Sequence, residues 1–471
     1  MKKVLFVASE CTPFVKTGGL ADVIGSLPQA LNRTKKIETR VILPLYDEIP
    51  KKWHLKMSQI TTIPIQLGWR KQSASLYSLV YEGITYYFIS NDYYFSRKGL
   101  YGYYDDGERF IFFSKAVIEA LPFLDFKPDV LHAHDWQAGM TVALAKILNP
   151  VEQLKTVLTI HNIKYQGIMP HHTFADFFNL PLSHFGGFEW RGMLNCLKSG
   201  LYHADKITTV SPSYAEEIKQ PYFGEGLHPI LQERSKDLLG ILNGINIDEF
   251  NPKTDPHLFM NYQYSRMKKK ENKIVLQEKL GLPVNADIPL YIMVTRLEEQ
   301  KGLHLLQHCL DEFLQDDVQF ILLGTGNIDF ETYFYNASKR FPLKLSVHFI
   351  FDDALARQMY AAADFLIMPS KFEPCGLSQL IALQYKTVPI VRETGGLKDT
   401  VVAFDEMTGE GNGFSFTNYN AHDLLHVLQS SLRVYQHSTY WKTLLKNVNK
   451  SQFSWNHSAY EYITLYHSLS I

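Results

Sequence analysis

Val4-Leu5-Phe6-Val7-Ala8-Ser9 leads through a short loop into Lys16-Thr17-Gly18-Gly19-Leu20-Ala21-Asp22. The four letters Thr-Gly-Gly-Leu return as Thr394-Gly395-Gly396-Leu397, after the late apolar run 387–391. A short apolar run flanked by helical pattern reads as a strand buried on both faces. A glycine pair between such a strand and a helix leaves backbone N–H groups uncovered at the helix N-terminus, where an anion is favoured. One such turn in each half implies two domains closing on one phosphate-bearing ligand.

Outward from these turns the same rhythm repeats. Short β-rich runs at 40–43, 130–133, 156–160, 206–210, 290–295, 318–323, 345–350 and 365–368 alternate with helical stretches. That alternation marks parallel sheets covered by helices, and the strands are too many for one ordinary sheet. The expected fold class is therefore α/β, with two doubly wound, Rossmann-like domains. A chain of 471 residues also exceeds the size at which one core keeps growing. The boundary is placed at Leu242-Asn243-Gly244-Ile245, giving domains 1–242 and 243–455. A final helix over 456–471 is expected to cross back to the first domain. The basic segment 266–270 reads as a solvated helix face.

Composition narrows the function. A formal net charge of −1 with 20% charged residues excludes a polyanion-binding surface as the main activity, so no nucleic-acid partner is expected. Aromatics at 13% serve either a large core or stacking on sugar rings. Cys11, Cys196, Cys309 and Cys375 show no paired spacing, which fits a reducing cytoplasm and argues against a disulfide framework or zinc site. The N-terminal apolar run, 4–8, is shorter than the about 7–15 residues of a signal peptide. No run is long enough to span a membrane. The expectation is a cytoplasmic protein without a membrane partner.

The candidate site residues cluster at strand ends. Lys16 adds a point charge beside Gly18 and Gly19, whose bareness permits close approach to phosphate; the plainer alternative is a tight turn with an exposed lysine. Arg296 and Lys301 follow the run 290–295 and read either as a diphosphate clamp or as surface ion pairs with Glu298 or Glu299. Glu373-Pro374-Cys375-Gly376-Leu377 opens a helix; its carboxylate is either a dipole partner or an acceptor for sugar hydroxyls. His132 and His134 share one side of a strand and suggest a metal, but no further ligands stand at credible spacing, so no metal is expected. His161-Asn162 ends another strand. Gly324-Thr325-Gly326 is an incomplete dinucleotide fingerprint.

Together these stretches resemble the bacterial glycogen synthase family, kin to plant starch synthases. The resemblance runs in order through Lys16–Leu20, 132–136, His161-Asn162, Asn243-Gly244-Ile245, 296–302, 373–377, 393–397 and Gly413-Phe414. It implies the glycosyltransferase B architecture, two Rossmann-like domains around a deep cleft. It implies a hexosyltransferase that moves glucose from ADP-glucose to the non-reducing end of an α-1,4-glucan with retention, without a cofactor. Donor phosphate contacts carry over to Lys16, Gly19, Arg296, Lys301, Leu377 and Thr394 with its neighbour Gly395. Donor glucose contacts carry over to His161, Asn243, Glu373, Cys375 (through its backbone) and Gly376. Glu10, Asp22 and Asp135 are expected on the acceptor side, with the aromatic stretch 93–110 stacking on glucan.

Three positions depart from the family pattern. Ile381 stands where many related retaining transferases have a second glutamate. Phe351 replaces a frequent tyrosine, keeping adenine stacking but losing the hydroxyl. Lys386 replaces a glycine, which costs about 1 kcal/mol if the backbone there is left-handed. The competing readings are a UDP-glucose-using glucan synthase, an inactive glucan-binding scaffold, a phosphorylase, which needs a pyridoxal phosphate lysine, and a dehydrogenase, which needs a complete glycine fingerprint.

Overall fold

In a computed structural model, which describes residues 1–469, the chain divides into two compact units. The first comprises Met1–Asn243 with the C-terminal helix Trp455–Ser468, and the second Gly244–Ser454. Ser470 and Ile471, at the end of the expected last helix, lie outside the described residues.

The first unit carries twelve strands: β1 (Lys2–Val7), β2 (Ile37–Pro44), β3 (Ser58–Leu67), β4 (Arg70–Tyr81), β5 (Ile84–Ser90), β6 (Val130–His134), β7 (Lys155–Ile160), β8 (Ile168–Pro170), β9 (Glu189–Trp190), β10 (Met193–Asn195), β11 (Lys206–Thr209) and β12 (Leu238–Gly240). Nine of them form one sheet in the order β12-β11-β7-β6-β1-β2-β5-β4-β3, and β8-β10-β9 form a small separate sheet. From β12 to β5 all neighbours are parallel. Val4, Leu5, Phe6 and Val7 are wholly buried because helices cover both faces. The helix Gly19–Arg33 that follows β1 buries Leu20, Val23, Ile24, Leu27 and Leu31, an apolar stripe at helical spacing.

An antiparallel extension, β5-β4-β3, was not read from the sequence. Glu82 and Gly83 join β4 to β5 with φ of 49° and 77°, the pair of left-handed residues that a two-residue hairpin favours. In β3 only one face is covered, so Ile63, Ile65 and Leu67 are buried while Thr62, Pro64 and Gln66 are exposed. The last helix belongs to this unit through specific bonds. Lys2 Nζ donates to the carbonyls of Tyr466 (2.5 Å) and Leu469 (2.9 Å), where a cation suits a helix C-terminus.

The second unit has six parallel strands, β13 (Leu290–Val294), β14 (Gln319–Leu323), β15 (Leu345–His348), β16 (Phe365–Met368), β17 (Val388–Arg392) and β18 (Phe414–Phe416), ordered β15-β14-β13-β16-β17-β18. This is the 3-2-1-4-5-6 order of dinucleotide-binding folds. Successive residues of β13 feed opposite cores. Tyr291 and Met293 pack with Phe313, Phe334 and Trp441, while Leu290 and Ile292 pack with Leu276, Met359 and Tyr385.

The basic segment 266–270 does not form a purely solvated face. Within the helix Arg266–Lys279, Lys269 turns inward, and its ammonium donates to the carbonyls of Tyr360, Ala361 and Tyr385. Those carbonyls close two helix ends, which explains why a cation is held there. Among the described residues, no helix is long and apolar enough to cross a membrane.

Each sheet reverses its winding once, between β1 and β6 in the first unit and between β13 and β16 in the second. The carboxyl ends of the strands beside such a reversal are where open α/β sheets bind ligands. Lys16, Asp135, Lys301 and Glu373 all follow those strands.

Candidate active site

In the first unit, β1 ends at Val7 and the chain makes a tight bracket between Cys11 and Val15, whose backbones exchange N–H···O bonds of 3.1 and 3.0 Å. The bracket returns Lys16–Leu20 over the strand end. Glu10 is 4% exposed, and its carboxylate accepts the N–H of Thr17 (2.5 Å), the N–H of Gly18 (3.3 Å) and the Thr17 hydroxyl (3.0 Å). Burial pushes its carboxyl upward, and those donors pull the other way. Glu10 thus faces inward and fixes the glycine loop. Lys16 Nζ pairs with Asp22 Oδ1 at 2.8 Å, both partly exposed. A Cβ added at Gly18 meets nothing within 4 Å, so the surface beside this helix start is open.

Beside it, β6 ends at His134 and Asp135 begins the helix Asp135–Leu148 with φ of 58°, a region an aspartate tolerates. Its carboxylate bends back to accept the N–H of His161 (2.7 Å) and of Asn162 (3.4 Å), fixing the loop after β7. Burial raises the Asp135 carboxyl to about 7 against those bonds. His134 Nδ1 lies 2.9 Å from His161 Nε2, and burial lowers both imidazoles, His161 to about 3, so both are neutral at pH 7. His132 is a pin: Nδ1 meets Tyr466 Oη at 2.7 Å and Nε2 meets Thr159 Oγ1 at 2.6 Å. No cluster of His, Cys, Asp or Glu with metal-holding geometry occurs among the described residues. Asn243 is 5% exposed, and its Oδ1 has no hydrogen-bond partner among the described residues.

The aromatic stretch 93–110 divides. Tyr94, Phe95 and Phe110 are core residues, whereas Tyr93 and Tyr104 are 59% and 98% exposed, so only part of it offers faces for stacking. The buried Arg109 explains the division, because its guanidinium bonds the carbonyls of Tyr94 (2.8 Å) and Leu100 (3.0 Å) and draws the segment inward.

In the second unit, three loops are stitched together at the ends of β13, β16 and β17. Gly302 has φ of 73°, and a Cβ there would stand 1.9 Å from the carbonyl of Pro369, so the Lys301 turn lies directly on the chain leaving β16. Gln300 reinforces this, its carbonyl accepting the N–H of Lys371 at 2.8 Å. The result is a close ion pair: Lys301 Nζ stands 2.8 and 3.0 Å from the two carboxylate oxygens of Glu373, with side chains 15% and 9% exposed. Ser370 Oγ donates to Glu373 Oε2 at 2.9 Å. Ser370 was not singled out from the sequence, and only its place three residues before Glu373 hinted at it.

Gly395 and Gly396 press against the same loop. Added Cβ atoms would fall 2.0 Å from the Glu373 carbonyl oxygen and 2.1 Å from that of Cys375, and the Gly396 N–H donates to the carbonyls of Glu373 and Pro374 at 3.2 Å. Thr394 and Cys375 are buried, and Gly376 takes the left-handed φ of 72° that turns the chain toward Leu377 and the helix Ser378–Gln384. The glycine-rich 324–326 plays a packing part: a Gly324 Cβ would meet the Thr295 carbonyl at 1.7 Å. Arg296 pairs with Glu298 at 2.7 Å and is 53% exposed, the surface pairing that the sequence also allowed. Phe351 is 88% exposed in the loop after β15, two strands from β13.

Comparisons with known proteins agree with this geometry. The starch synthase catalytic domain family matches residues 3–233, and glycosyl transferases group 1 matches 277–443. The chain is 61% identical to a glycogen synthase of Oceanobacillus iheyensis over 469 residues, covering 100% of this chain and 98% of that one. It is 48% identical to a glycogen synthase of Alkaliphilus metalliredigens, covering 99% and 100%. A solved structure of the catalytic domain of Starch Synthase IV from Arabidopsis thaliana, bound to ADP and acarbose, superposes with a TM-score of 0.91 at 32% identity, covering 99% of each chain. Full-length identity at this level, on this fold, makes the chain a member of the glycogen synthase family.

Proposed function

We propose that this chain is a retaining hexosyltransferase that moves glucose from ADP-glucose to the non-reducing end of an α-1,4-glucan, elongating glycogen. The observation that carries the reading is the Lys301–Glu373 pair at the strand reversal of the second unit, packed beneath Gly395 and Gly396. The full-length likeness to glycogen synthases supports it.

In this mechanism the bond between the glucose C1 and the diphosphate breaks, and its electron pair goes to the departing phosphate oxygen. Lys301, Arg296 and Lys16 stabilise that growing charge more strongly than they stabilise the bound donor. The acceptor hydroxyl attacks C1 from the face the diphosphate leaves, and its proton passes to the departing phosphate oxygen. Glu373, oriented by Lys301 and Ser370, accepts hydrogen bonds from glucose hydroxyls. His161, kept neutral and held by Asp135, contacts the same sugar, as do Asn243 and the backbones of Cys375 and Gly376. Leu377, Thr394, Gly395 and Gly19 line the diphosphate, Phe351 stacks on the adenine, and Asp22 serves the acceptor.

The test is to incubate the protein with glycogen and either ADP-glucose or UDP-glucose, without added metal, and to measure the nucleoside diphosphate released. Release of ADP with glucan growth is expected. Preferential release of UDP would reassign the donor, and release of neither would leave a glucan-binding scaffold.

A further inference from the structure

Arg266, Lys269, Lys270 and Lys273 stand at i, i+3, i+4 and i+7 of the helix Arg266–Lys279, one cationic stripe whose members repel each other. The stripe runs from solvent inward: Arg266 is exposed, Lys269 and Lys270 are part-buried, and Lys273 is 1% exposed. Two of the four have carboxylate partners: Lys273 with Asp364 and Lys270 with Asp287, each at 2.6 Å. Lys269 has carbonyl acceptors and the Thr387 hydroxyl at 2.8 Å; among the described residues it makes no direct ion pair, although the charge of Asp364 reaches it.

A fifth cation joins them. Lys386 sits at φ of 62°, a conformation that glycine adopts without cost. Its ammonium lies over the Tyr264 ring, 5.7 Å from its centre. Among the described residues neither Lys386 nor Arg266 has an ion pair. All five cations line one cavity of about 330 Å³, closed on another side by Tyr435 and Trp441, with only Asp287 and Asp364 to balance them.

The position is informative. Asp364 directly precedes β16 and Lys386 shortly precedes β17, so the cavity lies at the amino edge of the sheet. Lys301 and Glu373 lie at the opposite edge, about a strand length (~15 Å) away. A strained lysine and a partnerless arginine beside a desolvated lysine amount to uncompensated charge around an open space. Such an arrangement attracts an anion.

We infer that this cavity is a binding site for a small phosphate-bearing anion, inorganic or esterified. Lys386 and Arg266 contact the phosphate, Lys269 and Lys273 set the positive potential, and the two aromatic rings flank any organic part. Burial lowers the Lys269 ammonium to about 7 against the opposing charge of Asp364, with Lys273 and Lys386 adding to the depression, so a bound anion also favours its charged form.

The test is calorimetric titration of the whole chain with inorganic pyrophosphate and, separately, a hexose monophosphate, each with saturating ADP present. We expect one further site, weakened about tenfold or more in Lys386→Gly or Arg266→Gln, since each loses a charge-assisted contact. Lys386→Gly relieves backbone strain, so its thermal unfolding should match or exceed that of the parent, and its glucosyl transfer should be unchanged. Tighter binding of pyrophosphate or of the ester identifies the inorganic or organic source. No additional site with ADP bound, or unaltered affinity in both variants, would overturn the inference while leaving the transferase reading intact.

Discussion

Replacing Lys301 by alanine separates its role in holding the loop from its role on the diphosphate. Lys301 and Glu373 are 15% and 9% exposed and meet through two contacts. Removing one member of a buried pair costs about 3–5 kcal/mol, because the other charge is stranded; water still reaches the lysine end, which favours about 3. A typical stability of about 5–15 kcal/mol leaves such a variant folded. Lys301→Ala/Glu373→Gln strands no charge, and Ser370 can still donate to the amide oxygen, so urea unfolding should recover about 1–2 kcal/mol over the single variant. Activity should behave differently. Loss of one cation from a developing anion costs about 10²–10³ in kcat, with KM for ADP-glucose changed far less, and the double variant should regain none of it. ADP release under saturating donor and glycogen reads kcat directly. A near-normal kcat in Lys301→Ala, or activity returning together with stability in the double variant, would refute the charge-stabilising role.

Two further predictions test the framework around that pair. Gly396→Ala drives a methyl to 2.1 Å from a backbone carbonyl, so it should cost about 1–3 kcal/mol in urea unfolding and lower kcat by displacing the Glu373 loop, whereas Gly18→Ala, with open space, should cost about 1 kcal/mol or less; equal costs would refute the packing account. Titration should show opposed effects. His132 and His161 are held at about 3 by burial, and His134 is also held below its ordinary value near 6.5, so the stability these neutral imidazoles confer is complete above pH 6.5 and drains as pH falls through the window from 6.5 toward 3 that His132 and His161 define. Asp135, raised from 3.8 to about 7, runs the other way: its ionisation costs stability as pH rises across that window. Asp135→Asn should therefore gain up to about 4 kcal/mol at pH 8, a gain that vanishes near pH 4, while losing activity; a gain independent of pH would show that ionisation is not the cause.

The parallel strands were legible because strands covered on both faces are continuous apolar runs, as in 4–8, 290–294 and 365–368. β3 escaped because its buried residues alternate with Thr62, Pro64 and Gln66, and β12 and β18 because three residues leave no periodic signal. The candidate positions were legible as strand-terminal polar residues, but their partners were not. Lys301 and Glu373 are 72 residues apart and meet only because Gly302 and Gln300 fold one turn onto the next strand's exit. The inward turn of Lys269 was hidden for a related reason: its acceptors are carbonyls of other helices, and no side-chain pattern announces them.

The bond from Tyr466 to His132 has a consequence for biosynthesis. The central strand β6 receives its partner from the last helix, after the whole of Gly244–Ser454 has been made. At ~5–20 residues per second, those roughly 210 residues impose a wait of ~10–40 s. Through that interval the nascent first half carries an unsealed seam beside His132 and Lys2, which makes it the stage at which chaperone capture or proteolysis has its opening.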